Sequence, residues 1–185
     1  MKKCTALLLC FLPLLFLPAE EMELQSIVRF DGTSTLHDFT GFATSKVERV
    51  EWIPNGQGGS LTAESIEFDV EKLTTDHKKR DKKMMKMFKP SDFPLITGQL
   101  KNWDVGGESE APSVLLLKIQ DSELEIPVIL SEVIVDETGI HFTSNFSLSL
   151  KAFGLKRPSA LGFIRVGDEV NVEIETTLRK PESTP

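Results

Sequence analysis

Tyrosine is absent from this chain, histidine occurs three times, and both cysteines, Cys4 and Cys10, fall within the first ten residues. Beyond residue 10 no disulfide, zinc-thiolate site or cysteine nucleophile can form. His37, His77 and His141 are widely separated and lack a nucleophile elbow or oxyanion signature nearby, so no hydrolytic triad is legible. His-x-His and Glu-x-x-His spacings are also missing, which leaves a metal site without a local ligand pair. There is no excess of positive charge: 21 basic residues stand against 28 acidic ones, a formal charge of −7. Nucleic acid is therefore excluded as the main partner, because duplex binding draws on a strongly basic surface. The composition points away from an enzyme. A hydrolase acting on a lipid ester through His37 or His141 is the weakest reading.

The N-terminus has the order of an export signal. Lys2 and Lys3 precede an almost wholly apolar run from Thr5 to Leu17, and Pro18-Ala19 comes before the first acidic residues, Glu20 and Glu21. The signal is expected to span residues 1–19, with cleavage after Ala19. Pro13 interrupts the run, which falls short of the roughly 20 residues that a membrane span needs. Lipidation at Cys10 is the competing reading, but Leu7, Leu8 and Leu9 supply none of the small residues expected before a lipidated cysteine. Export places the protein in the periplasm or outside the cell. Residues 20–185 then form a single domain that must rely on a hydrophobic core, which about 165 residues can build.

Most of that domain alternates. Ile140, Phe142, Phe146, Leu148 and Leu150 share one parity, interrupted by Ser144, and Val170, Val172, Ile174 and Leu178 repeat the pattern. Val28 and Phe30 begin it. Such period-two patterning marks strands with one dry face. Residues 55–59 (NGQGG) and 136–139 (DETG) are turn chemistry between strands. Residues 114–119 and 126–135 are apolar on both parities, so a second cover from a helix or closing loop is expected there. The expected fold class is all-β: an eight-stranded antiparallel barrel, closed so that no sheet edge is left exposed, with one inserted α-helix at about residues 76–88.

The segment from Ile66 to Gln99 is the most informative. Ile66, Phe68 and Val70 alternate with Glu67, Asp69 and Glu71 as one strand; Asp76 stands at a helix N-cap position; Met84, Met85 and Phe88 give the helix a narrow apolar stripe; and Pro90 stops it. Seven basic residues crowd positions 78–89. A solvated helix face is the plain account of them. The alternative is attraction to anionic head groups, on a membrane surface met transiently or on a prenyl diphosphate, at about 1 kcal/mol per cation.

Three stretches carry a resemblance. The run TDHKKRDKKM at residues 75–84, with Phe88 and the DFP of residues 92–94, resembles the helix-and-return segment of the YceI-like family. GTSTLHDFTG at residues 32–41 resembles its opening strands, and LKAFGLKRPSA at 150–160 with VGDEVNVEI at 166–174 its closing segment. The likeness spans roughly residues 27 to 179. One departure is SELEIPV at 122–128, which keeps the family's Pro-Val but lacks its preceding glycine. The resemblance implies a secreted or periplasmic lipocalin-like barrel that holds a polyisoprenoid or other long-chain lipid, with no catalytic residue, metal or cofactor beyond the bound lipid. Carried onto this chain, a ligand would lie against Val28, Phe30, Ile66, Phe68, Val70 and Phe142. It would continue along Phe146, Leu148, Val172 and Ile174, with Met84 and Phe88 closing one end. Of itself the dry face supports two outcomes: a hollow barrel that binds, or a filled one serving as a structural or interaction module. Magnitudes favour the barrel over the helix as the source of affinity. Each buried methylene contributes about 0.8 kcal/mol, and an exposed lysine–phosphate pair at most about 1 kcal/mol.

Overall fold

The computed structural model describes residues 18–56, 58–107, 112–160 and 164–181; the export signal read at residues 1–19 lies almost wholly outside them. In chain order the elements are β1 (Glu20–Ser34), β2 (Phe39–Thr44), β3 (Glu48–Asn55) and β4 (Gly58–Asp69). A 3-10 turn (Val70–Lys72) and the helix α1 (Lys78–Phe88) follow. Then come β5 (Leu95–Val105), β6 (Ser113–Ile119), β7 (Ser122–Asp136), β8 (Gly139–Ser149), β9 (Ser159–Ala160) and β10 (Ile164–Arg179).

All the strand pairs are antiparallel, and β1 pairs with β10, which closes the sheet into a barrel. Along its other edge β1 meets two partners in succession: Glu20–Leu24 pair with β3, and Ile27–Gly32 pair with β2. β2 and β3 are thus two halves of one barrel strand, broken at Ser45, whose hydroxyl accepts from the Ser26 N–H while its own N–H donates to the Ser26 carbonyl, both at 2.8 Å. Counted this way eight strands close the barrel, and the two-residue β9 is an addition to β10.

The expected turns are present. Asn55 pairs with Gly58, with Gly56 at φ +63°, and Asp136 pairs with Gly139, its carboxylate accepting from the Thr138 N–H at 2.7 Å. Three expectations need correction. The N-cap read at Asp76 belongs to His77, because Asp76 takes a left-handed φ of +54° and the His77 Nδ1 accepts from Arg80 N–H. The strand read through Val70 ends at Asp69, whose side chain caps the 3-10 turn and so takes Val70 out of the alternation. Among the described residues the doubly apolar runs carry no second cover: Val114, Ile129 and Ile134 are exposed on the outside of the barrel. Ile129 faces outward by alternation, whereas a bulge between Ser131 and Ile134, with Glu132 at φ +52°, turns Ile134 outward and Val133 toward the core.

The interior is unevenly filled. At the end where β1 begins and β10 finishes, Leu24, Leu61, Val105 and Leu178 have no exposed surface, and Trp52 joins them. Leu24 pairs with Leu178, which pairs with Ile140, while Trp52 pairs with Leu61 and Leu61 with Trp103. This is a close-packed floor. The opposite half is hollow.

Candidate ligand-binding site

The hollow half is a cavity of about 360 Å³, within the range of small-molecule sites. Its walls come from alternate positions of the strands, because a barrel strand sends every second side chain inward. β1 contributes Val28 and Phe30; β4, Ile66 and Phe68; β8, Phe142, Phe146 and Leu148; β10, Val172 and Ile174. Met84 and Phe88 reach it from α1. Eleven of the twelve side chains singled out from the sequence therefore surround one space. Val70 is the twelfth and does not line it. Its N–H donates to the Pro94 carbonyl at 2.9 Å and its side chain is packed at 1% exposure.

Other lining residues were not read from the sequence. β5 and β6 add Ile96, Leu100, Trp103, Leu115 and Leu117. Leu115 and Leu117 lay within a run apolar on both faces, and in β5 the left-handed Asn102, at φ +51°, switches the inward parity between Leu100 and Trp103. Trp103 forms part of the lower wall and is fixed there by Nε1 donating to the Val114 carbonyl at 2.7 Å. Ser26, Ser144 and Thr176 place hydroxyls on otherwise greasy strands; Ser26 and Thr176 bond each other at 3.0 Å, so burial leaves both partnered. Two glycines of the 32–41 segment make room for aromatic rings on the wall. A Cβ at Gly41 would fall 2.2 Å from the Phe30 ring, and one at Gly32 2.5 Å from the Phe39 ring.

α1 lies over the open end as a lid with three ties. At its N-terminal end Asp81 accepts from the Thr75 N–H and hydroxyl and from the Thr74 hydroxyl. At its C-terminal end the Gln120 amide donates to the Met87 and Phe88 carbonyls, two of the carbonyls a helix end leaves unpaired, at 2.9 and 3.0 Å. Between them Lys83 Nζ donates to the Ser159 carbonyl at 3.3 Å. Burial works to raise the Asp81 pKa, but the hydrogen bonds from Thr75 and Thr74, helped by the Arg80 charge, outweigh it and hold the group below the ordinary carboxylate value. The inward side of the lid is Arg80, Lys83, Met84, Met87 and Phe88, the spacing of one helical face. Arg80 also rests over the Phe39 ring, 4.8 Å from its centroid.

The histidines are dispersed. His37 and His77 stand at the rim of the cavity, and His141 lies in the β7–β8 hairpin against Thr138 and Thr177. Among the described residues no group of three His, Cys, Asp or Glu side chains is arranged to hold a metal ion.

Residues 24–178 match the family model described as YceI-like domain. No curated protein matches the chain. Among solved structures it is similar to BcnA of Burkholderia cenocepacia, with TM-score 0.59 and 15% identity over 82% of this chain and 95% of that one. It is also similar to a polyisoprenoid binding domain from Saccharophagus degradans implicated in plant cell wall breakdown, with TM-score 0.59 and 12% identity over 89% of this chain and all of the other. At such identities the likeness is one of fold.

Proposed function

The chain belongs to the YceI-like family, and from that premise we propose that it is a non-enzymatic binder of an isoprenoid-type or similar long-chain lipid, working as a carrier or store in the cell envelope. The observation that carries this reading is the cavity: about 360 Å³ of space on the lid side of the barrel, walled mainly by Phe, Val, Ile, Leu and Met. Such a wall has few groups to orient a polar substrate and much apolar surface to offer a chain. A dozen buried methylenes would contribute roughly 10 kcal/mol before the costs of ordering. The isoprenoid identity draws on the described ligand class of the Saccharophagus domain, and the envelope location on the export signal at residues 1–19. The filled-module alternative describes only the floor half of the molecule.

Substitutions on the wall test the proposal. Ile174→Trp would occupy the space, and Phe142→Asp would set a charge against it. Organic extraction of the purified variants is expected to yield little or no lipid where the unaltered protein yields a stoichiometric amount. Equal lipid recovery from all three proteins would exclude the cavity as the binding site.

A further inference from the structure

Although acidic residues outnumber basic ones 28 to 21 in the chain, no aspartate or glutamate is found among the described residues lining the cavity. Its ionisable side chains are His37, His77, Lys79, Arg80 and Lys83, gathered at the rim. None of the five joins an ion pair among the described residues. Asp81, their neighbour on α1, turns both carboxylate oxygens to Thr74 and Thr75. Arg80 is placed over the Phe39 ring, 4.8 Å from its centroid, and no described hydrogen bond engages its guanidinium N–H groups. Lys83 gives one hydrogen bond, to the neutral Ser159 carbonyl.

The position of these cations separates them from an ordinary solvated helix face. Lys78, Lys82, Lys86 and Lys89 do not line the cavity, and they fit that plain description. Half-buried Arg80 and exposed Lys83 line the mouth of the cavity from the side of the helix that farther along carries the apolar Met84, Met87 and Phe88. The underside of the lid is therefore cationic toward its N-terminal end and apolar toward its C-terminal end. That polarity matches a guest with an oily chain and one anionic end.

Building on the lipid-binding reading above, we propose that the rim is a head-group site and that the guest is a single-chain amphiphile ending in a carboxylate or phosphate. The chain occupies the barrel, and the anion lies between Arg80, Lys83 and His77. Arg80 presents a planar fork of donors suited to either group. The chain supplies most of the affinity, and the rim chooses among guests.

Binding of four probes to the delipidated full domain tests this: tetradecanoate, tetradecanol, farnesyl phosphate and farnesol. Each anion is expected to bind about tenfold more tightly than its alcohol at low ionic strength, equivalent to about 1.4 kcal/mol. The ratio is expected to shrink at about 0.5 M salt, because charges at an open rim are screened. Arg80→Met and Lys83→Met should each lower the ratio, and Arg80→Lys should keep only the part that depends on charge alone. The tighter of the two anions identifies the carboxylate or the phosphate as the natural terminus. Anion and alcohol binding equally, or a ratio unmoved by salt and by both substitutions, would overturn the head-group site. If none of the four probes binds, the lipid-binding reading falls, and this inference with it.

Discussion

Asp81 accepts two hydrogen bonds from Thr75, one from the backbone N–H at 2.9 Å and one from the hydroxyl at 2.5 Å. A carboxylate near the start of α1 thereby fastens the lid to the chain that leads from β4. The two bonds explain why the acid at this place in a lysine-rich helix serves its own fold and why, among the described residues, the cations beside it form no ion pair.

Replacing Asp81 by alanine is expected to cost about 1–3 kcal/mol, since bonds to a charged acceptor are lost and the threonine donors are left behind. The effect depends on pH. The folded pKa lies below the ordinary value of 3.8, so the ionised group's stabilisation is complete above that value and is lost as pH falls through the folded pKa. Thermal melts of the two proteins should differ by a constant amount between about pH 5 and 8 and converge below about pH 3.8. A gap that persists undiminished to low pH would show that the charge is not what holds the lid.

Gln120 provides the other anchor. Removing its amide in Gln120→Ala leaves the Met87 and Phe88 carbonyls without that donor and should cost about 1 kcal/mol. Its clearer signature is local. Hydrogen exchange should speed up over the last turn of α1, with the floor strands unchanged. Uniform loss of protection across the barrel would instead mark Gln120 as a residue of the general fold.

Two leucines measure how differently the halves of the barrel are packed. Leu178 is fully buried in the floor, whereas Leu148 is half-buried and faces the cavity. Leu178→Ala should cost about 3–5 kcal/mol, the upper part of the range for a well-packed core leucine. Leu148→Ala should cost less than about 2 kcal/mol, because a side chain beside empty space already lacks partner atoms on that side. Chemical denaturation of the lipid-free proteins checks both. Equal losses would mean that the upper half is packed as tightly as the floor.

The inward faces of β8 and β10 were legible, because from Ile140 to Leu148 and from Val170 to Leu178 Ser144 and Thr176 alone interrupt the apolar alternation, and a barrel strand must turn one parity inside. Val70 misled because periodicity continues through a strand end, and only the cap made by Asp69 shows where the strand stops. The 126–135 run left its inward face unread, because both parities are apolar there and a single bulge between Ser131 and Ile134 reverses parity without changing composition. The apolar stripe of α1 was read from Met84 and Phe88, but the inward turn of Arg80 and Lys83 was not. Helical spacing tells which side chains share a face and leaves open whether that face meets the barrel or water. The sequence was equally silent on a barrel filled at one end and open at the other, since strand parity is the same in both halves.

Native mass spectrometry of the protein purified from its own cell envelope tests the central claim most directly. The expected spectrum shows the mature chain carrying one additional species of several hundred daltons, which is released on denaturation and is absent from Ile174→Trp. A bare chain under gentle conditions, from cells in which the protein is abundant and folded, would contradict the account.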